Sequence, residues 1–392
     1  MNNSLFKIWI FLFYFPVISG FILKNLGLGY NILNLIFLFN EIILITLGLF
    51  LMKFKVNKIA LISLSLIVTA FFGFFFKSVN LIDYLIPVIV LNRFVIFVGF
   101  INEKDEKNYL LAKKIFKLFI YSQLIIGLFQ IFLPSVIIDL TLPVQPAEGY
   151  KIIAPSFESW DGTIFGLFAD TISYPFTLVI GYLFFLKEKK INLLMTILFG
   201  ICIIQAKSII ASIFFIYLVI DQFKKINKKL IIISAIFTVL ISINIILNQI
   251  DFYNIYKMFL DQRLGIILWV FPELIFNTSL DQLLFGVGIG EGLETFIYGM
   301  KNVPGLFLYD SEGLNGLNDV YYVAIMSYYG LIGLVTIFTF YYYFNKQWGG
   351  SKFSRYAILF VLISLMVNQT TQLSFFSLLF YSHINLLNSR SE

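Results

Sequence analysis

The chain has 392 residues, of which 59% are apolar, 19% aromatic and 13% charged, and its net charge is +6. Soluble domains carry about 25% charged residues, and a soluble fold could not bury this much apolar surface and still present a polar coat. With a mean hydropathy of +0.90, the composition excludes a secreted soluble enzyme, a nucleic-acid-binding domain and a disordered chain, and predicts an all-α polytopic membrane protein.

Apolar runs of about 20 residues suffice to cross the hydrocarbon. In chain order they fall at about 8–23, 31–52, 59–76, 81–101, 115–138, 164–186, 191–206, 208–222, 230–248, 320–344, 355–369 and 372–388. They predict about 12 transmembrane helices. The first run lacks a persuasive small-x-small cleavage site and is read as an uncleaved span, not a signal peptide. The seventh and eighth runs predict a tight hairpin, as do the last two. Residues 1–248 thus hold nine spans with short loops. Residues 249–319 form one large extracytoplasmic loop, and 320–392 hold the last three spans.

Lysine and arginine set the direction. With the N-terminus in the cytoplasm, 20 of the 28 cations fall on inside segments, 7 on outside segments, and Arg93 within a span. Both termini are then cytoplasmic, and the expected location is the cytoplasmic (inner) membrane. Span-flanking lysines account for the net charge without an anionic partner such as nucleic acid. The single cysteine, Cys202, and the single histidine, His383, lie in apolar runs. An internal disulfide is excluded, and His- or Cys-based metal chemistry is not expected. No metal and no cofactor are expected.

Two outside segments stand out. One, at about 139–163, contains Pro143, Pro146, Pro155 and Trp160. The other, 249–319, has nine acids against three bases, a balance of −6. Loops of this length usually carry function. Phe259, Ile266, Val270 and Leu274 recur at helical spacing and predict a helix over 258–277. Gly286 to Gly292 lack the spacing of a dinucleotide loop and read as a flexible turn.

Charges inside the membrane are costly and mark candidate sites. Arg93, mid-span in the fourth run, either pairs with Glu41 at similar depth or faces a polar substrate cavity. Asp83 is ten residues from Arg93, about 15 Å along a helix and on another face, so the two do not pair. Lys207, in the outer turn Gln205-Ala206-Lys207-Ser208, either snorkels to the headgroups or binds an anion. Arg263 either bridges to Asp261 or Glu273, or presents its fork to a phosphate. Asp319, where the large loop re-enters the membrane, is either a helix N-cap or a general base. The tyrosines read first as interface-belt residues.

Several of these segments together resemble one family, the O-antigen polymerase and O-antigen ligase superfamily of bacterial membrane glycosyltransferases. Arg263, Trp269 and then Leu284-Phe285-Gly286-Val287-Gly288-Ile289-Gly290 look like its arginine–tryptophan helix and the following Phe-Gly-x-Gly turn. Asp319-Val320-Tyr321-Tyr322-Val323 and then Tyr329-Gly330-Leu331-Ile332-Gly333-Leu334 look like the span that closes its large loop. Gln205 to Ser212 is similar to its serine–arginine segment, with Lys207 in place of the arginine. More loosely, Gly166-Leu167-Phe168-Ala169-Asp170 through Pro175 resembles the start of its middle helix. The likeness covers about residues 160–345. One departure matters: the ligases carry a histidine–asparagine pair near the position of Asp319, and this chain has no histidine in an external loop, which favours a polymerase.

The resemblance implies a GT-C-like membrane fold and metal-independent glycosyl transfer at the outer membrane face. The substrates would be oligosaccharides on undecaprenyl diphosphate, with membrane lipid as surroundings and room for a chain-length-regulating partner. Its product would be an O-antigen, a capsule or a related polysaccharide. Lys207, Arg263 and Arg93 would bind the diphosphate, with Arg263 also catalytic. Asp319 would activate or orient the acceptor hydroxyl, and Trp269 and Tyr322 would stack on sugars. The alternatives are a ligase, which adds one glycan and makes no ladder, and a lipid-linked oligosaccharide transporter or flippase. No internal repeat supports transport, and transport leaves the large loop unexplained.

Overall fold

The computed structural model describes residues 4–12, 14–15, isolated positions between 36 and 68, then 106–141, 145–146, 152–153, 162–168, 173–223, 271–276, 279–286, 321–348 and 352–364. These residues are mostly helical, so the all-α class holds. The helices are α1 (Glu106–Phe132), α2 (Pro134–Thr141), α3 (Ser173–Lys187), α4 (Leu193–Gln205), α5 (Ile209–Phe223), α6 (Phe271–Phe276), α7 (Leu280–Phe285), α8 (Tyr321–Trp348) and α9 (Lys352–Ser364). Between α2 and α3, Gln145–Pro146 pairs antiparallel with Ile152–Ile153.

Helix α3 is the centre. Its residues Ser173 to Phe185 are all buried, as expected of a helix that is apolar all round. Aromatic rings join it to four neighbours. Phe184 meets Phe116 of α1 edge-on at 5.1 Å. Tyr182 meets Phe199 of α4 at 5.5 Å and Phe215 of α5 at 4.8 Å. Phe176 meets Phe360 of α9 at 5.1 Å. Such tilted pairs add to the area they bury.

The peripheral helices are apolar on their outward sides as well. On α1, Phe116, Ile120 and Leu124 are buried, while Leu118, Ile125 and Phe132 are exposed. On α4, Leu193, Leu194 and Ile197 are exposed. Among the described residues α1 holds the one stretch, Leu110–Phe132, long and apolar enough to cross a membrane; α3, α4, α5 and parts of α8 and α9 are shorter apolar helices.

Local chemistry sets the boundaries. Asn192 opens α4 by accepting from the Met195 N–H at 2.9 Å. Lys207 adopts φ 55° and ends the helix, its N–H donating to Ile204 O at 2.9 Å. At the end of α3, Lys189 takes φ 53°, and the Lys190 N–H reaches Phe185 O at 3.1 Å. The Lys189 N–H donates to Leu186 O at 3.0 Å, completing a Schellman closure with lysine in the usual glycine place.

Three predicted boundaries need correction. The fifth span, expected at 115–138, starts as helix at Glu106 and is interrupted at Leu133. Pro134 lacks an N–H and begins α2 instead, where that loss costs nothing. The sixth, expected at 164–186, is helical only from Ser173; residues 162–168 are irregular. The tenth, expected at 320–344, is α8 but has non-helical geometry at Gly330 (φ 65°, ψ −163°). Of the predicted loop helix 258–277, residues 271–276 are helical as α6, and the rest lies outside the described residues.

Candidate functional site

The residues singled out by sequence divide sharply. Lys207 and Tyr322 are described; Arg93, Glu41, Asp83, Arg263, Trp269 and Asp319 lie outside the described residues. The site can be built from the segments around the first two.

The first cluster surrounds residues 162–168. Thr163, Ile164, Phe165 and Gly166 are buried without helical hydrogen bonds. Buried backbone must find partners, and side-chain amides of neighbouring helices supply them. Gln130 of α1 donates through Nε2 to Gly166 O at 2.9 Å. Its Oε1 accepts from the N–H groups of Phe165 at 3.1 Å and Gly166 at 2.9 Å. Gln123, seven residues earlier on the same face, accepts from the Leu167 N–H at 3.0 Å. Gln205, at the end of α4, donates to Gly162 O at 3.0 Å, and its own carbonyl accepts from Ile164 N–H at 3.5 Å.

Tyr174 closes this cluster from below. Its hydroxyl donates to Gln123 O at 3.2 Å. Gly166 has φ 60°, and a Cβ there would overlap the Tyr174 ring and Gln123 Oε1. Only glycine meets both conditions. Lys207, exposed and two residues beyond Gln205, stands at the rim of this arrangement. The turn that carries this cation thus follows directly on Gln205, one of the three glutamines that fix the backbone of the segment.

The second cluster joins α7 to α8. Ser279 opens α7, its N–H donating to Gln282 Oε1 at 3.3 Å and its carbonyl accepting from Leu283 at 2.8 Å. Gly286 closes it, donating to Gln282 O at 2.7 Å. The turn then seats against the break in α8. A Cβ on Gly330 would fall on the Leu284 carbonyl and the Gly286 nitrogen. The segment read as a flexible turn is, at Gly286, buried and closely packed.

Tyr322 lies on α8, eight residues before that break. Its ring stacks on Phe338 at 5.5 Å and 16°, and its hydroxyl donates to Leu362 O of α9 at 3.0 Å. One ring face is therefore occupied by the protein itself.

A third group of charges sits at the opposite end of α1, α3 and α5. Glu188 pairs with Lys113, with Lys117 at 3.6 Å and with Lys190 at 3.9 Å. Burial would raise the Glu188 carboxyl, but the Lys113 hydrogen bond and the three lysines outweigh it and hold it below its ordinary value. Burial pushes Lys187 down to about 8, against the pull of Glu188. Asp221 of α5 pairs with Lys352 and accepts from Tyr356 Oη at 3.1 Å.

The three glutamines were not singled out by sequence. The available signal was the spacing of Gln123 and Gln130 within an otherwise apolar run. No family model, curated protein or solved structure matches this chain.

Proposed function

We propose that the chain is a polytopic membrane glycosyltransferase with about 12 spans, a GT-C-like architecture and one large extracytoplasmic loop. It joins undecaprenyl-diphosphate-linked repeat units into a polysaccharide at the outer face of the cytoplasmic membrane. The observation that carries this reading is the pairing of the segments that carry the family resemblance. Leu284 to Gly286 seats on Gly330, and the Gln205 turn holds the segment leading to Gly166. These contacts join the segments in two pairs, each across about forty residues of sequence.

Two further observations support the membrane setting. Apolar side chains cover the outward faces of α1, α4 and α8, where a soluble protein would place polar ones. The ion pairs of Lys113, Lys117 and Lys190 with Glu188, and of Lys352 with Asp221, join residues that the cation rule assigns to the inner side. Gln205 and Lys207 belong to the outer side on the same rule.

In the proposed reaction an acceptor sugar hydroxyl attacks the anomeric carbon of the donor glycan. The new glycosidic C–O bond forms as the bond to the diphosphate breaks. Asp319 takes the hydroxyl proton, and the lipid diphosphate leaves as an anion. Arg263, Lys207 and Arg93 stabilise that charge electrostatically, and Trp269 and Tyr322 seat the sugars.

The test is polymerisation by purified protein in lipid bilayers supplied with lipid-linked repeat units. The wild type yields a ladder on a gel. Asp319→Asn and Arg263→Ala each reduce its rate by about 100-fold or more. Full laddering by Arg263→Ala, or a single addition without a ladder by the wild type, overturns the reading.

A further inference from the structure

A groove of about 1190 Å³ runs between α8 and α9 and shares no lining residue with the glutamine cluster. Its walls are one stripe from each helix, with Tyr322 and Val323, from the part of α8 before its break, lining one end. Leu334, Phe338 and Asn345 recur at helical spacing on α8, as do Arg355, Leu359 and Ile363 on α9. Leu334 to Asn345 and Lys352 to Ile363 each rise about 16 Å at 1.5 Å per residue. That matches about half of a hydrocarbon core of roughly 30 Å. The apolar walls therefore extend over one leaflet, not across the bilayer. At the far end the Tyr322 hydroxyl, bonded to Leu362 O, ties the two helices together.

The other end is cationic. Lys352 and Arg355 both line the groove, with Asn345 beside them. Asp221 engages Lys352, and Tyr356, hydrogen-bonded to the same carboxylate, lies with its ring 5.3 Å from the Lys352 Nζ. That array fixes the mouth but neutralises only one cation. Among the described residues no acid pairs with Arg355. Basic pockets between membrane helices on the cytoplasmic side are the places where anionic headgroups bind.

We infer that this groove is a binding site for an anionic phospholipid of the cytoplasmic leaflet, with its acyl chains between α8 and α9 and its phosphate on Arg355 and Lys352. Charge complementarity and the one-leaflet length select this occupant. A lipid-linked glycan would carry its diphosphate at the opposite face. The site rests on the membrane reading of the chain, and its far end shares Tyr322 with the proposed sugar contacts. A bound phospholipid would fill the seam between the two helices.

Native mass spectrometry of the full chain, released from mixed phosphatidylcholine and phosphatidylglycerol nanodiscs, tests this. The wild type retains phosphatidylglycerol in preference to phosphatidylcholine. Arg355→Gln lowers that preference about fivefold, the share of one surface cation. Leu359→Trp, on an exposed lining position, fills the groove and loses the retained lipid without lowering the melting temperature. Equal retention of both lipids overturns the site, as does wild-type retention by either variant. Displacement of the phosphatidylglycerol by undecaprenyl diphosphate also overturns it, because the groove would then belong to the substrate. A ladder formed by protein that retains no phosphatidylglycerol would leave the polymerase reading standing and end this one.

Discussion

Gly330 combines a backbone conformation open only to glycine with a neighbour that leaves no room for a Cβ. Replacement by alanine meets both obstacles at once. Gly330→Ala should lose about 2 kcal/mol or more, read as the shift of the unfolding midpoint in a mixed-detergent titration. Leu331→Ala, at an exposed neighbour, should move that midpoint by less than about 0.5 kcal/mol. Equal effects would mean that the break is not what holds α7 in place.

Gln130 satisfies three backbone groups with one side chain. Gln130→Leu keeps the volume and strands all three. It should cost about 2–4 kcal/mol and expose the peptide bonds of 162–168 to limited proteolysis. Gln130→Glu keeps the acceptor and loses the donor to Gly166 O, so its protease resistance should fall between the two. A leucine variant as resistant as the wild type would contradict the bracing role.

Among elements, the link between α1 and the turn after α3 depends on charge. Glu188→Gln leaves Lys113, Lys117 and Lys190 facing one another without a counter-ion. It should destabilise by about 1 kcal/mol at neutral pH. The carboxyl is held below its ordinary value of 4.5. Its contribution is therefore full above that value and is lost as pH falls through the lower folded value. The gap between wild type and Glu188→Gln should close in acid. Lys187 runs the other way. Its folded value of about 8 lies below the ordinary 10.5, so between these values the unfolded chain holds a proton that the folded chain has released. Stability should rise with pH through that window, and Lys187→Met should flatten the rise in thermal melts taken across it.

The same elements show what a sequence can express. The boundaries of α4 and α5 were legible to within a residue or two, because Asn192 and the Lys207-Ser208 turn are local signals with local causes. The start of α3 was not. Ile164, Phe165, Leu167 and Phe168 are as apolar as any helix, and hydropathy reports burial without reporting backbone conformation. The N-terminal reach of α1 was missed for the converse reason: Lys107, Lys113 and Lys114 favour a helix but not a membrane. The break at Gly330 packs against Leu284 and Gly286, about 45 residues away, a contact that no local pattern records. Of the site, Lys207 and Tyr322 were legible as residue types. Their surroundings depend on glutamines whose partners are backbone atoms, and backbone partners leave no trace in composition.

At the scale of the whole molecule, the two charged ends define a direction. Cys202 is the only cysteine and is buried, so introduced thiols can be read against a silent background. Lys207→Cys should react with a membrane-impermeant maleimide in intact spheroplasts. Lys189→Cys should react only after permeabilisation. Both positions are exposed on turns between helices, so the contrast reports membrane side and not burial. The reverse pattern would overturn the proposed orientation and Lys207's proposed place at the outer face.

The braced segment 162–168 also bears on how the protein is made. Its backbone groups depend on Gln123 and Gln130, which are synthesised before it, and on Gln205, which is synthesised some forty residues later. Irregular backbone at membrane depth is tolerated only when protein or water satisfies it. On the proposed membrane reading, the Gly162 carbonyl and the Ile164 N–H gain their partner only once α4 has been synthesised to its last residue.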